Sequence, residues 1–259
     1  MQRDFTLEAY RALLDGLRHV GYRTCRVVDA LRMSAEPESP RVILRHDVDR
    51  RPQRSLDLAR LEHAEDCHAT YYVRTPVRGS GAMLVRELRE MGHEVGYHYE
   101  TVSRAHGDLR EAAKLFVHEL SELRELAPIE TAAMHGSPLS PWSNMDVWQV
   151  LSQDEVGLVG EAYVSLEGYP GLVYVNDTGR SWGNRHNLRD RLKGSTVEGL
   201  ADTESLLAYV CEARPRWLYL QTHPERWVSA PLSWVVQYAV DAGVNAAKTL
   251  IRLARAGQS

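Results

Sequence analysis

Residues 42–52 read VILRHDVDRRP, and this stretch decides how the chain is interpreted. It opens with apolar residues that show no polar alternation, which is typical of a short strand buried on both faces of a parallel sheet. The strand runs directly into two carboxylates, Asp47 and Asp49, separated by one residue. Side chains two apart on a strand share a face, with Cα atoms about 6–7 Å apart, so both carboxylates are predicted to face one site.

Strand and helix patterns alternate at least four times on either side of this stretch. Short connections between continuous apolar strands and amphipathic helices predict a parallel sheet with covering helices. Repeated units of this kind over about 200 residues favour a closed or partly closed α/β barrel over a dinucleotide-binding fold. No glycine-rich phosphate loop follows the first strand. The predicted strands lie in 41–47, 69–74, 93–99, 130–136, 171–182 and 216–223.

The length of 259 residues suits a single domain with a sizeable core. We expect a helical lead-in over 1–40, the barrel over 41–228 and a C-terminal helix over 229–259. The net charge of −4 gives no indication of a nucleic-acid surface. The apolar C-terminal helix is expected to pack on the barrel, with a homodimer interface or contact with a membrane surface as alternatives.

The expected cellular compartment is inferred from the start of the chain, from its apolar runs and from its cysteines. The start, MQRDFTLEAYRALL, has no apolar core of a secretory signal, and no run approaches the length of a transmembrane segment. Cys25, Cys67 and Cys211 are scattered, which argues against a disulfide framework. The expectation is therefore a reduced, cytoplasmic protein.

Acidic and imidazole side chains recur where the predicted strands end. Because the carboxyl ends of parallel strands meet at one edge of a sheet, these side chains are predicted to converge. Two close carboxylates repel each other, and a divalent metal would resolve the repulsion by taking one as a ligand and leaving the other as a base. The residues concerned are Asp47, Asp49, His98, His135, Asp177 and His223.

Two of the histidines carry specific expectations. His98 lies near the carboxyl end of its strand, which makes it a better metal ligand than His93 at the start. Pro224 biases His223 towards an extended conformation, and an imidazole at a strand end is a natural proton donor at neutral pH.

The segment YVNDTGRSW (174–182) supplies candidates for substrate contacts. Asp177 could orient a histidine, Arg180 could bind an anionic group, and Trp182 could stack on a sugar. Trp227 could flank a sugar in the same way, although tryptophans at such positions are also common core residues.

The order of three motifs, RHDVD, GHEVGYH and QTHPERW, resembles the NodB-homology polysaccharide deacetylase superfamily, carbohydrate esterase family 4 and its divergent relatives. The resemblance covers residues 41–227. It implies a distorted (β/α) barrel of about seven parallel strands, with the N-terminal and C-terminal helices packed on it. It also implies that Asp47 is the general base, Asp49 and His98 are metal ligands, and His223 is the general acid.

One position departs from the family pattern. The second motif commonly has another histidine four residues after the first, where this chain has Val102. His135, His106 or Glu100 could replace it, and we expect His135, because a residue at a strand end is held more rigidly. The resemblance implies a divalent metal, zinc before cobalt, manganese or nickel.

The function expected from the resemblance is metal-dependent N-deacetylation of an intracellular amino sugar, such as a nucleotide sugar, a glycan intermediate or a natural-product glycoside. Two alternatives remain open at this point. One is a carbohydrate-binding relative with impaired catalysis, suggested by Val102. The other is a metal-dependent amidase that acts on a non-sugar amide.

Overall fold

The computed structural model describes residues 3–33, 37–183, 192, 197 and 199–256. The strands in these residues are β1 (Arg23–Cys25), β2 (Arg41–Val48), β3 (Thr70–Val73), β4 (Glu94–Tyr99), β5 (Thr131–Met134), β6 (Gly160–Glu161), β7 (Leu172–Asn176) and β8 (Trp217–Thr222). The α-helices are α1 (Leu7–His19), α2 (Val27–Arg32), α3 (Arg54–Ala64), α4 (Ser80–Glu90), α5 (Thr101–Arg104), α6 (Leu109–Arg124), α7 (Thr203–Ala213) and α8 (Pro231–Ala256).

The strands form one parallel sheet in the order β6-β5-β4-β3-β2-β8-β7, with β1 added beside β2. Its two end strands do not pair with each other in the described residues. They nevertheless come close, because the rings of Tyr163, just after β6, and Tyr174 in β7 lie 6.1 Å apart. Both tyrosine hydroxyls donate to Gln221 Oε1 in β8. The sheet is therefore a distorted, incompletely closed barrel with flanking helices, and the predicted fold class is confirmed.

The sequence patterns missed strand β1, which lies in the segment interpreted as a helical lead-in. Arg23 pairs with Arg41 and Cys25 with Ile43, so the first part of the chain extends the barrel sheet. A strand of three residues is too short to show a recognisable alternation.

The register between strands brings the predicted polar residues to one edge. His46 of β2 pairs with Thr222 of β8, so Asp47 and His223 come next on their strands at the same level. His98 of β4 pairs with Ala133 of β5, and His135 follows two residues later. The carboxyl ends of these strands therefore deliver their side chains to one rim of the barrel.

The two terminal helices pack on the barrel as predicted. Thr6 caps α1, where its hydroxyl accepts the Ala9 N–H at 3.1 Å. Helix α8 is attached by Trp234, whose indole N–H donates to Asp4 O at 2.8 Å, and by Gln237, whose amide oxygen accepts from Arg54 at 3.0 Å. Among the helices of the described ranges, none combines the length and apolar character needed to cross a bilayer.

Candidate metal and catalytic site

A cavity of about 350 Å³ opens at the carboxyl edge of the sheet. Five of the predicted site residues line it: Asp47, Asp49, His98, His135 and His223. Further lining comes from the 136–140 loop, from Arg50 and Arg74, and from Asp241 and Val244 of α8. Predicted residues from Asp47 to His223 thus lie around one cavity, as expected for side chains at the ends of parallel strands.

The three predicted metal ligands lie close enough to share one ion. One ligand atom each from Asp49, His98 and His135 can be chosen so that all lie within 4.8 Å of one another. Asp49 Oδ1 is 3.2 Å from His98 Nε2 and 3.6 Å from His135 Nε2. This oxygen is buried and has no hydrogen-bond partner in the described part of the chain. An unpaired buried carboxylate oxygen facing two imidazole nitrogens is the donor set that a divalent cation would satisfy.

The opposite nitrogen of each imidazole is fixed by a hydrogen bond. His98 Nδ1 lies 3.0 Å from Ala133 O, and a carbonyl can only accept, so Nδ1 carries the proton. His135 Nδ1 donates to Glu100 Oε2 at 2.9 Å. With Nδ1 held in this way, each ring turns its Nε2 towards Asp49, which is the orientation that metal-binding histidines need.

The other two candidates for the third ligand, Glu100 and His106, have different surroundings. Glu100 holds His135 and also forms an ion pair with Arg74, so its carboxylate supports a ligand. His106 packs edge-on against Trp142 and does not line the cavity. Val102 is buried in the apolar core. Of these candidates, His135 is the one that lies with Asp49 and His98 in a group that could hold an ion.

Asp47 is held from inside the barrel by Arg45, which is fully buried. Arg45 Nε donates to Asp47 Oδ1 at 2.7 Å and Nη2 donates to Oδ2 at 2.9 Å, while Gln221 donates to Oδ2 at 2.5 Å. Burial raises the pKa of the Asp47 carboxyl, but the guanidinium of Arg45 and the nearby His98 lower it by more. Asp47 is therefore an ionised carboxylate whose Oδ2 lies 3.6 Å from His98 Nε2.

His223 is oriented by Asp177, as the sequence suggested. Its Nδ1 donates to Asp177 Oδ1 at 2.6 Å, and its backbone N–H donates to Oδ2 at 2.9 Å. Trp227 adds an indole N–H to Oδ2 at 3.0 Å. Burial and the neighbouring Arg226 guanidinium lower the pKa of His223, but Asp177 outweighs them, so the pKa lies above its ordinary value.

The second ring nitrogen of His223, Nε2, lies on the side of Asp49, one of the predicted metal ligands. His223 Nε2 lies 3.8 Å from Asp49 Oδ2. Burial raises the pKa of Asp49, yet His135, His98 and His223 together hold it well below its usual range. A proton on His223 Nε2 is therefore close to where a group held at Asp49 would be.

Two lining residues that sequence reasoning did not single out remain open to a ligand. Glu225 is buried, and its Oε2 has no hydrogen-bond partner among the described residues. Burial raises the pKa of Glu225 to about 7, against the opposing effects of His223 and Arg226. Arg50 is exposed at the rim and makes no hydrogen bond or ion pair with any described residue.

The predicted substrate contacts at Arg180, Trp182 and Trp227 need correction. Trp182 and Trp227 are almost completely buried, pack against the Phe5 ring and do not line the cavity. The Arg180 guanidinium lies over the Phe5 and Trp234 rings and pairs with Asp241, outside the cavity lining. These side chains join the N-terminal segment to α8, and burial among aromatic rings leaves them no room to bind a sugar.

Some of the missed residues had a signal in the sequence. Arg45 lies two residues before Asp47, so the alternation that paired Asp47 with Asp49 also placed Arg45 on that face. Gln221 precedes His223 by the same interval. Glu225 and Arg50 lie just beyond the ends of β8 and β2, in a short 3-10 helix and a bend, where strand alternation makes no prediction.

No protein-family model matches the chain, and no curated protein matches it. Among solved structures, a CE4 esterase of Streptococcus mutans matches with 12% sequence identity and a TM-score of 0.48, over 86% of this chain and 87% of the other. A similarity at this level carries no information about the residues of the site.

Proposed function

We propose that the chain is a metal-dependent hydrolase that removes the acetyl group from an N-acetylated amino sugar. One observation carries the proposal. Asp49 Oδ1, buried and unpaired in the described residues, faces the Nε2 atoms of two histidines whose Nδ1 atoms are fixed by Ala133 and Glu100. A charged atom left without a partner in a cavity has a large free-energy cost, which a bound cation would remove.

Asp49, His98 and His135 would hold the ion, and zinc suits two imidazoles and a carboxylate. A divalent cation in such a site polarises a carbonyl group and activates water for attack. Glu100 keeps His135 in the tautomer that can bind, and Ala133 O does the same for His98. These contacts of the chain prepare the donor atoms before any ion arrives.

In the proposed reaction, Asp47 accepts the proton of the attacking water. Its carboxylate is ionised because Arg45 lies against both oxygens, and Oδ2 is on the side of His98. Arg45 also makes Asp47 a weak base, so the reaction depends on activation of the water as well.

His223 is the proposed donor to the departing amine. Asp177 holds Nδ1–H and leaves Nε2 facing the cavity, and the raised pKa of His223 favours the protonated imidazole at neutral pH. An amine leaves from a tetrahedral carbon only when its nitrogen is protonated, so this proton is needed to complete the cleavage. Asp47 and His223 thus divide the roles of base and acid.

The substrate class follows from what the cavity offers. The cavity is polar, and Glu225 Oε2 would accept a hydrogen bond from a sugar hydroxyl or amide N–H. Arg50 at the rim would meet a negatively charged group, such as the phosphate of an activated or lipid-linked sugar. We therefore favour an anionic amino-sugar conjugate over a neutral polymer.

The test is acetate release from a panel of N-acetylated amino sugars, with and without anionic groups, by purified protein loaded with Zn²⁺ or Co²⁺. We expect release that stops on chelation and is absent in Asp49→Asn. Bound metal in the wild type, measured by elemental analysis, shows that the loading worked. Metal-loaded protein that releases no acetate from any member of the panel would contradict the proposal.

A further inference from the structure

Arg226 shares the carboxylate of Asp177 with the proposed proton donor. Arg226 Nη1 and His223 Nδ1 donate to the same oxygen, Asp177 Oδ1, at 2.5 and 2.6 Å. The two nitrogens lie only 2.6 Å from each other. A guanidinium can only donate, so if Nη1 turned its hydrogen towards Nδ1, the imidazole would lose its own proton there and its bond to Asp177. The position of the guanidinium therefore decides whether His223 keeps its orientation.

A second carboxylate, supplied by helix α8, attracts another nitrogen of the same guanidinium. Asp241 is 6% exposed, and its Oδ1 lies 3.8 Å from Arg226 Nε. Arg226 Nε is buried and has no hydrogen-bond partner in the described residues, so its compensation there is the charge of Asp241. Asp241 is itself fixed, because Gln237 donates to Oδ1 at 3.2 Å and Arg180 lies 3.4 Å from Oδ2. Arg226 thus lies between two carboxylates, with Nη1 on Asp177 and Nε towards Asp241.

The charge of Asp241 opposes the attraction of Arg226 to Asp177. Burial lowers the pKa of Arg226, but Asp177, Glu225 and Asp241 together raise it above its ordinary value, so the guanidinium is charged. Charges interact strongly in a buried site, where water screens them little. If the charge of Asp241 were removed, the guanidinium would be drawn further onto Asp177, where the imidazole of His223 is bound. The sequence of α8 contains no other acidic residue that could replace Asp241.

We propose that Asp241 is a positioning residue for His223: it holds Arg226 towards α8 and so leaves Asp177 Oδ1 to the imidazole N–H. The inference rests on the proposed function, since it gives the C-terminal helix a part in protonating the departing amine. Helix α8 lies where this is required, because Asp241 and Val244 line the same cavity as His223. The helix is then part of the proposed active site as well as a cover for the barrel.

The first measurement is the proton NMR spectrum of the metal-free full chain. The proton on His223 Nδ1, in a hydrogen bond of 2.6 Å to a carboxylate, should give a signal far downfield, identified by its absence in His223→Gln. We expect Asp241→Asn to move this signal upfield or to remove it by exchange with water. Asn245→Ala is the matched control. Asn245 donates to Gly179 O at 3.2 Å, one turn further along α8, and its variant should keep the wild-type signal.

Arg226→Lys tests the same contact from the other partner. A lysine ammonium keeps the charge but lacks the planar fork that reaches both carboxylates, so the His223 signal should change as in Asp241→Asn. In the metal-loaded enzyme, Asp241→Asn should lower kcat for acetate release by about 10–100-fold, because the proton donor is misplaced. KM should change little, since the substrate contacts of the cavity are retained. Circular dichroism checks that each variant is folded, and Arg226→Lys decides the question if Asp241→Asn is not.

A wild-type His223 signal in folded Asp241→Asn or in Arg226→Lys would overturn the proposal, and so would a wild-type kcat in Asp241→Asn. The same change of signal in Asn245→Ala would overturn it too, because any loosening of α8 would then explain the effect. The NMR measurement needs neither metal nor substrate. A signal that changes as expected in a protein that releases no acetate would therefore count against the proposed reaction alone.

Discussion

The two faces of strand β2 each carry a cluster of histidine and carboxylate groups, and the clusters differ in how their polar atoms are paired. On the face covered by helices, His46 Nε2 lies 2.7 Å from Glu62 Oε1, and Tyr10 and Tyr71 donate to Glu62 at 2.5 and 2.7 Å. His46 Nδ1 contacts Thr222 at 2.5 Å. We call this the closed cluster, because both oxygens of Glu62 and both nitrogens of His46 have partners.

The face inside the barrel carries the open cluster: Asp47, Asp49, His98, His135, His223 and Glu225. Here Asp49 Oδ1 and Glu225 Oε2 are buried with no hydrogen-bond partner in the described residues. An unsatisfied buried polar atom costs about 1–3 kcal/mol, or more when charged. The difference indicates that the closed cluster stabilises the folded state. The open cluster has polar atoms available to bind a ligand, and this lowers the stability of the protein. The predictions below test this division.

The largest effect is expected for His223→Ala. Loss of the proton donor should lower kcat for acetate release by about 10²–10⁴-fold, with little change in the melting temperature. Steady-state kinetics on the metal-loaded enzyme and a thermal melt measure both quantities. His63→Ala, at an exposed histidine on α3, is the control and should retain full activity. An active His223→Ala enzyme would remove His223 from the mechanism.

Glu62→Ala, in the closed cluster, should lower stability and leave the activity nearly unchanged. Removal of the carboxylate leaves the hydroxyls of Tyr10 and Tyr71 and the Nε2 atom of His46 without their partner in the core. The free energy of unfolding should fall by about 3–5 kcal/mol, while kcat of the folded fraction changes little. Urea denaturation measures the first quantity. An unchanged stability would show that the closed cluster has no structural role.

Glu100→Gln tests whether an indirect contact supports the proposed metal site. The amide can still accept from His135 Nδ1 but carries no charge, so the affinity for Zn²⁺ should fall by about 10–100-fold. Competition with a chromophoric chelator gives the dissociation constant. Glu90→Gln, at an exposed residue of α4, should bind like the wild type. Equal affinities for the two variants would contradict the supporting role of Glu100 at the proposed metal site.

Glu225→Gln is expected to raise the free energy of unfolding of the metal-free protein, by less than Glu62→Ala lowers it. Burial raises the pKa of Glu225 from its ordinary 4.5 to about 7, although His223 and Arg226 oppose this effect and Asp49 adds to it. The folded state therefore binds more protons than the unfolded state between these values, and the wild type loses stability as the pH rises through this window.

The glutamine variant lacks this loss. The free energy of unfolding of Glu225→Gln minus that of the wild type should therefore be about 1–2 kcal/mol larger at pH 8 than at pH 4.5. Urea denaturation at the two pH values measures the difference. If the two proteins differed in stability by the same amount at both pH values, the pKa of Glu225 would not be raised in the folded state.

Much of the fold and the positions of the central site residues could be predicted from the sequence. Asp49, His98, His135 and His223 each follow a short apolar run, and strand alternation assigned their faces. The errors at Trp182 and Trp227 arose because a tryptophan in a loop gives no local sign of burial. Their burial depends on Phe5, about 180 and 220 residues away, and no pattern within a segment reports such a contact.

By itself, the sequence determined the parallel α/β order and the set of acids and imidazoles that end the strands. Both follow from periodicity and composition within short segments, which are local properties of the chain. Only the tertiary structure decided which of those groups are paired and which are left unsatisfied. Glu100 reaching His135 and the apolar side of α8 facing outward both depend on strand register and helix packing. The physical reason is that hydrogen bonding and burial are set by neighbours in space, which the order of residues does not record.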